Sequence, residues 1–351
     1  FPIPFALEEI KENITIISNK KNKFSKEKII NKALNFYCQG KILEASKYCK
    51  YIINQGFADY RIFSQYGAIL ISQGNSREAK FLFSKSIQLK PDFAEAYTNL
   101  GIVLQDLGNL KEAELLHRKA IELNPSLSEA HSNYGIVLKS IGKLKEAEIS
   151  QRKAIHLKPG FSEAHYNLGN ILNDLGKLKE AKKYYLNAIE LKPSLGNAYL
   201  NLGNVLKELG EFKEAEKYFQ KAINLNPKFV KVHSNLGNLL KEMGKSKEAE
   251  YHLRKAITLK PELSEAHHNL SLLLLKNKRF KEGWNKYEWR WKVANLGFGK
   301  KQKLVTSKPE WDDNKNGRVL LWGEQGIGDE ILFASLIPEF QKKVDQLILK
   351  V

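Results

Sequence analysis

Cysteine, methionine and arginine are scarce in this sequence. Its 351 residues include two cysteines, one methionine and eight arginines. Two thiols in a chain of this length favour a reducing compartment, and we expect Cys38 and Cys49 to pack as ordinary side chains rather than to form a disulfide or bind a metal. No run of about 18 apolar residues occurs, so we expect no membrane-spanning helix and a cytoplasmic location.

The charge balance is strongly positive, with a formal net charge of +18. Such an excess occurs in nucleic-acid-binding proteins. The basic residues are mostly lysine, however, whereas arginine makes the bidentate contacts to bases and phosphates. The lysines also stand beside glutamates, as at Lys111-Glu112 and Lys145-Glu146, which is typical of solvated helical faces. A nucleic-acid partner therefore rests on charge alone and is not expected.

What the sequence does contain is a repeat with a period of 34 residues, most regular between residues 94 and 263. Seven positions of the repeat keep the same residue, and a fixed period of this length indicates a solenoid of helix-turn-helix units. The recurring residues are Asn99, Asn133, Asn167, Asn201 and Asn235; Gly101, Gly135, Gly169, Gly203 and Gly237; Leu104, Leu138, Leu172, Leu206 and Leu240; Gly108, Gly142, Gly176, Gly210 and Gly244; Ala113, Ala147, Ala181, Ala215 and Ala249; Ala120, Ala154, Ala188, Ala222 and Ala256; and Pro125, Pro159, Pro193, Pro227 and Pro261.

Each repeat is expected to hold two helices. Apolar residues have helical spacing from Ala94 to Leu107 and again from Leu110 to Leu123, with Gly108 as a left-handed stop between the two segments. The second segment ends before Pro125, because a residue that precedes proline disfavours helical geometry. The alanines and the first glycine are small where two helices must approach closely.

These units resemble tetratricopeptide repeats. The residues that match the family's pattern in one unit are Tyr97, Leu100, Gly101, Ala113, Ala120 and Pro125. The resemblance implies an all-α fold, a right-handed superhelix of about eight repeats, following an N-terminal extension at 1–25. The predicted solenoid covers 26–297, in units 26–59, 60–93, 94–127, 128–161, 162–195, 196–229, 230–263 and 264–297, and the units at its two ends depart most from the pattern.

Asparagine stands at the sixth place of six consecutive units, although it is a poor residue for a helix interior. The six are Asn99, Asn133, Asn167, Asn201, Asn235 and Asn269. The resemblance implies that first helices line a concave groove, and that the amides hold the backbone of an extended polypeptide, as in the repeat domain of O-linked N-acetylglucosamine transferase. An amide offers donors and an acceptor that match a peptide group. The alternatives are that these amides bond neighbouring helices and fix the stacking of repeats, or that they were copied passively when the repeat was duplicated.

Four units have histidine at their fourth place, His131, His165, His233 and His267. Residues one full repeat apart cannot converge on a single metal ion. We expect them to be packing residues, and no metal site is expected.

The composition changes after residue 283, where all five tryptophans lie. The segment Gly283–Trp291 is expected to form an aromatic helix that caps the solenoid, followed by a linker over 298–317. A βαβ start is then predicted at 318–351, with strands at 318–322 and 345–351 and a helix at 331–340. A glycine-rich turn joins the first strand to the helix and could approach a phosphate; its residues are Gly323, Glu324, Gln325, Gly326 and Gly328.

The run Trp322–Glu330 resembles the start of a GT-B glycosyltransferase domain of the type related to heptosyltransferases. The resemblance implies that Gly328 is the loop glycine and that Asp329 is a base on the acceptor; the alternative is that Asp329 caps the following helix. A GT-B enzyme needs two Rossmann-like halves, and neither is complete by Val351. This chain alone is therefore expected to lack activity and cofactors, whereas the full-length protein would use a nucleotide sugar as donor.

The predicted function is thus binding of protein or peptide clients in the asparagine-lined groove, as the recognition part of a glycosyltransferase. The alternative is a scaffold that assembles protein complexes and has no transferase activity.

Overall fold

A computed structural model of the chain describes residues 23–293, 318–322 and 346–350. These residues form sixteen α-helices, one short 3₁₀ helix and two strands. The α-helices are α1 (Lys23–Cys38), α2 (Ile42–Asn54), α3 (Tyr60–Ser72), α4 (Ser76–Leu89), α5 (Ala94–Asp106), α6 (Leu110–Leu123), α7 (Ser128–Ser140), α8 (Leu144–Leu157), α9 (Ser162–Asp174), α10 (Leu178–Leu191), α11 (Gly196–Glu208), α12 (Phe212–Leu225), α13 (Val230–Glu242), α14 (Ser246–Leu259), α15 (Ser264–Lys276) and α16 (Phe280–Tyr287). The 3₁₀ helix, Glu288–Lys292, follows α16 directly.

The helices alternate between a first helix of 13 residues and a second helix of 14 residues over most of the array. First helices have odd numbers and second helices have even numbers. This confirms the all-helical solenoid expected from the 34-residue period. The chain divides into two compact units, Phe1–Glu211 and Phe212–Val351; their described residues contain α1 to α11 in unit 1 and α12 to α16 in unit 2.

A left-handed turn separates the first helix from the second. At Gly108 the backbone φ is 81°, and the next residue, Asn109, donates its N–H to Leu104 O at 2.8 Å. Glycine adopts this conformation without the clash that a Cβ causes. In the last repeat Lys278 takes the glycine's place and keeps a positive φ of 62°.

A second glycine lies where the two helices of a pair touch in five of the repeats, at Gly67, Gly101, Gly135, Gly169 and Gly237. A Cβ added at Gly101 would lie 2.6 Å from Cε1 of His117, and one added at Gly169 would lie 2.6 Å from Cε1 of Tyr185. Real carbon atoms cannot come so close, so a bulky side chain of the second helix packs directly on the glycine backbone of the first. The small residues therefore have the role that the sequence predicts.

Within each unit, first helices contact the first helices of neighbouring repeats, as α5 does α7 and α7 does α9. Consecutive second helices approach each other less closely. The repeats of a unit therefore present their first helices along one side, and alanines such as Ala113 and Ala120 fill the core with no exposed surface.

Ion pairs join neighbouring second helices with the same 34-residue period. In unit 1 the Lys143 ammonium lies 2.9 Å from Glu114, and that of Lys177 lies 2.8 Å from Glu148. Unit 2 repeats the contact between Lys245 and Glu216 at 2.8 Å. Glutamates of neighbouring repeats thus pair with many of the lysines, which agrees with solvated helical faces.

Two strands lie near the C-terminal end, β1 (Arg318–Trp322) and β2 (Gln346–Lys350). They pair in parallel, with Arg318 opposite Gln346 and Trp322 opposite Lys350. The connection between them, including the helix expected at 331–340, lies outside the described residues, so the βαβ unit stays a prediction. Among the helices that the structure describes, none has the length and apolar character to cross a membrane.

A row of asparagines on the first helices

All six asparagines of the predicted row lie on first helices, and each is half-buried. Unit 1 carries Asn99, Asn133, Asn167 and Asn201 on α5, α7, α9 and α11, and unit 2 carries Asn235 and Asn269 on α13 and α15. Because first helices of adjacent repeats are in contact, successive asparagines of one unit lie on touching helices. Each amide is thus next to the groups of a neighbouring repeat and also partly open to solvent.

Sequence reasoning missed a second row of amides. Asn170, Asn204 and Asn238 each follow an asparagine of the first row by three residues, and each is half-buried. Residues three apart lie on the same face of a helix. The signal was present in the sequence as the pattern Asn-x-x-Asn in three consecutive repeats, so the asparagine face is two residues wide there.

Four polar side chains of unit 1 meet where α9 and α11 lie side by side. Asn201 donates from Nδ2 to Asn170 Oδ1 at 2.8 Å and to the Tyr166 hydroxyl at 3.2 Å. The Tyr185 hydroxyl donates to the same Asn170 oxygen at 2.8 Å. We call these four residues the amide cluster. It joins the two rows of asparagines at one junction between repeats.

Tyr185 holds the amide cluster from the second helix of the repeat, α10. Its ring is 1% exposed and packs against the backbone of Gly169, so it enters from the second helix α10. Burial raises the pKa of this phenol well above its usual range, and the hydroxyl stays protonated as a donor. The glycine is what lets an aromatic side chain of α10 reach the asparagine face.

Four of the other five asparagines fall into two kinds. Asn99, Asn133 and Asn167 make no side-chain hydrogen bond within the described part of the chain. In unit 2, by contrast, Lys241 donates from Nζ to Asn269 Oδ1 at 3.0 Å. Bonding between neighbouring repeats, one alternative raised from sequence, therefore applies at Asn201 and Asn269 and does not account for Asn99, Asn133 or Asn167.

The surroundings of the row are polar and carry both signs of charge. The Lys139 ammonium of α7 lies 3.1 Å from the Asp174 carboxylate of α9. Asn173, the residue before Asp174, has a buried Oδ1 with no hydrogen-bond partner among the described residues. This side of unit 1 is thus rich in hydrogen-bonding groups.

The four histidines bond to the turns that join one repeat to the next. In each, Nε2 faces the carbonyl of the proline six residues earlier, for example His131 to Pro125 at 3.0 Å and His267 to Pro261 at 2.8 Å. A carbonyl oxygen can only accept, so Nε2 carries the proton. These histidines brace the turns, which fits the packing role expected of them; the period of His and Pro in the sequence could have suggested the bond.

The residues proposed for the C-terminal loop lie outside the described residues. They are Gly323, Glu324, Gln325, Gly326, Gly328 and Asp329. The phosphate contact and both interpretations of Asp329 therefore remain predictions.

Sequence-family comparisons match the helical array. Models described as tetratricopeptide repeat match residues 60–93 and 128–161, 94–127, 161–228 and 218–251. Together they cover more than half of the chain. None of the curated protein sequences matches it significantly.

Solved structures with TM-scores above 0.5 have the same fold. PilF of Pseudomonas aeruginosa is 23% identical, with a TM-score of 0.54 over 60% of this chain and 95% of its own. The Cut9–Hcn1 hetero-tetramer of APC/C is 17% identical, with a TM-score of 0.59 over 82% of this chain and 57% of its own. YrrB, a TPR protein with an unusual peptide-binding site, is 27% identical, with a TM-score of 0.45 over 53% of this chain and 96% of its own. Likeness at these levels concerns the path of the backbone.

Proposed function

Because this chain belongs to the tetratricopeptide repeat family, whose fold is typical of protein–protein interaction, we propose that it binds extended polypeptide along its asparagine face. The observation that carries the proposal is a set of half-buried amides that have no hydrogen-bond partner among the residues that the structure describes, Asn99, Asn133 and Asn167. A half-buried amide loses part of its hydration, and a ligand that supplies hydrogen bonds restores it.

Peptide backbone is the ligand that fits such a row. A primary amide presents two donors and an acceptor, which complement the C=O and N–H of a peptide group regardless of the side chains. Amides that recur once per repeat along one side of a unit suit a chain that is extended over several repeats. The face then holds many different client sequences, with the flanking charges such as Lys139 and Asp174 modulating the choice.

In the intact protein this recognition would serve a glycosyltransferase. The support is the resemblance of Trp322–Glu330 to the start of a GT-B domain, together with a parallel strand pair at β1 and β2. The groove would hold the client while a nucleotide sugar supplies the transferred group. The competing proposal is a scaffold without activity, and the sequence that follows Val351 decides between them, because only the enzyme requires two Rossmann-like halves.

Peptide binding is tested with a library of random dodecapeptides displayed on phage. We expect wild-type protein to select binders, and we expect Asn99→Ala/Asn133→Ala/Asn167→Ala to weaken binding of the best selected peptide at least about tenfold, since several hydrogen bonds of about 1 kcal/mol each are lost. Fluorescence anisotropy measures the affinity, and thermal unfolding followed by circular dichroism shows that the array remains folded.

A matched control carries the same number of alanines on second helices. Gln88, Gln220 and Asn224 are exposed on α4 and α12, and Gln88→Ala/Gln220→Ala/Asn224→Ala should bind the peptide normally. Unchanged binding by the asparagine variant would rule out the asparagine face as the site.

A further inference from the structure

We infer that Asn170 and Asn201 form one peptide-binding subsite of fixed polarity, in which Asn170 offers a donor and Asn201 offers an acceptor. The inference rests on the proposed function. It goes beyond a uniform row of amides, because a uniform row would accept a peptide backbone in either direction.

Asn201 has no donor left for a ligand. Its side-chain nitrogen carries two hydrogens, and these are directed to Asn170 Oδ1 at 2.8 Å and to the Tyr166 hydroxyl at 3.2 Å. The remaining polar atom is Oδ1, which can only accept. A ligand that meets Asn201 must therefore bring an N–H group.

Asn170 is committed in the opposite sense. Its Oδ1 has two lone pairs, and these accept from the Tyr185 hydroxyl and from Asn201, both at 2.8 Å. Its Nδ2 group has no partner among the described residues, and the side chain is half-buried. A ligand that meets Asn170 must therefore bring a C=O group.

Tyr185 sets the direction of the pair. If both amides were turned over, they could still bond each other, but the Tyr185 hydroxyl would then accept from Asn170 and lose the oxygen to which it now donates at 2.8 Å, with only the oxygen of Asn201 left as a possible acceptor. That hydroxyl belongs to a ring with 1% exposure, so water does not replace the lost acceptor and the present orientation is favoured. Tyr166 carries no such constraint, because it is half-buried and water can serve it. Tyr185 is thus a positioning residue, which acts on the ligand through Asn170.

The polarity has a consequence for the client. An extended backbone presents C=O and N–H groups in an order that reverses with chain direction. A donor on α9 beside an acceptor on α11 therefore favours one direction of the client along unit 1.

The sharpest test is Asn170→Asp. A carboxylate accepts from Tyr185 and Asn201 as the amide does, so the amide cluster and the unfolding temperature should be retained. The outward donor is lost, and we expect the best library dodecapeptide to bind about fivefold to tenfold more weakly. Asn187→Asp on the second helix α10 adds the same charge away from the asparagine face and should bind normally. Wild-type affinity in Asn170→Asp would overturn the inference, because it would leave Asn170 only a bracing role.

A second test addresses Tyr185. Tyr185→Phe should fold, since Phe83 packs on Gly67 at the equivalent place of an earlier repeat, but it frees the amide pair to turn over. The readout is a set of dodecapeptide analogues in which one backbone N–H at a time is replaced by an ester oxygen. With wild-type protein we expect one position at which the ester costs about fivefold to tenfold, and with Asn201→Ala or Tyr185→Phe we expect that penalty to shrink.

The outcomes separate the two levels of the argument. If no peptide binds wild-type protein, the proposed function fails and this inference fails with it. If peptides bind and the triple alanine variant does not, while every ester analogue behaves alike in wild type and Tyr185→Phe, only the fixed polarity is overturned.

Discussion

One residue of the core, His117, is buried without a hydrogen-bond partner. It has no exposed surface, both ring nitrogens are unpaired among the described residues, and burial lowers its pKa to about 4. The same place in the next repeats is held by Gln151, which bonds Ser132, and by Tyr185, which bonds Asn170. In the repeat of His117, the residues that correspond to Ser132 and Asn170 are Thr98, whose hydroxyl bonds its own helix, and Ile102, which is apolar.

We expect His117→Phe to stabilise the protein by about 1–3 kcal/mol at pH 7, because it removes two unsatisfied buried nitrogens. Phe83 occupies the equivalent place below Gly67, so the larger ring has a precedent in this chain. Urea denaturation followed by circular dichroism measures the difference. A loss of stability would show that the ring does not fit beneath Gly101.

His117 also makes stability depend on pH. Its folded pKa of about 4 lies below the ordinary value near 6.5, so the unfolded chain binds more protons between these values. Stability contributed by the neutral ring is present above pH 6.5 and is lost as the pH falls towards 4, by up to about 3 kcal/mol. We expect the advantage of His117→Phe to grow over this range, measured by urea denaturation from pH 7 to pH 4. An advantage that stays constant with pH would contradict the assignment; His252, whose pKa burial also lowers to about 4, remains in both proteins.

At this scale the sequence predicts which residues are small or apolar, and it predicts the row Asn99 to Asn269 from its period. It does not predict partners. Whether Tyr185 holds Asn170, or His117 holds nothing, depends on side chains of two helices that approach only in the folded pair.

At the scale of elements, the ion pairs between second helices contain one inverted contact. Glu114–Lys143 and Glu148–Lys177 have the acid first in the chain, whereas the next contact of unit 1 has Lys182 first and Glu211 second, at 2.6 Å. The two charges are exchanged relative to the other pairs, so the contact between Lys182 and Glu211 is still attractive. The helices themselves were predictable from apolar spacing, but this complementarity appears only when residues 29 apart are known to touch.

We expect Lys182→Glu alone to destabilise unit 1 by about 0.5 kcal/mol, because it places two acids together at a partly exposed contact. Lys182→Glu/Glu211→Lys restores the orientation of the neighbouring contacts and should recover the loss. Thermal unfolding at low and high salt checks this, since salt screens the contact. Additive effects of the two substitutions would show that the side chains do not interact.

At the scale of the whole molecule, stability is expected to be local, because each repeat contacts mainly its neighbours. The 34-residue period and the composition were enough to predict the solenoid, because every repeat packs its two helices in the same way. The region after residue 293 has no such repetition, and its predicted domain depends on a resemblance instead.

We expect Gly169→Ala to reduce hydrogen-exchange protection mainly within 128–208, because the added methyl group meets the fixed ring of Tyr185. Residues 26–93 of the same unit, at least one whole repeat away, should keep their protection. Gly160→Ala is the matched control, since nothing lies within 4 Å of its added Cβ. A loss spread evenly over 26–208 would mean that unit 1 unfolds as a single cooperative body.

The inverted contact at Lys182 and Glu211 has a consequence for how the array can change in length. Repeat 162–195 carries lysine at both of its contact places, Lys177 and Lys182, and repeat 196–229 carries glutamate at both, Glu211 and Glu216. Duplication or deletion of either repeat alone would set like charges against each other, whereas copying or losing the two together keeps every contact attractive. These two repeats are therefore expected to be inherited as a pair, a 68-residue cassette.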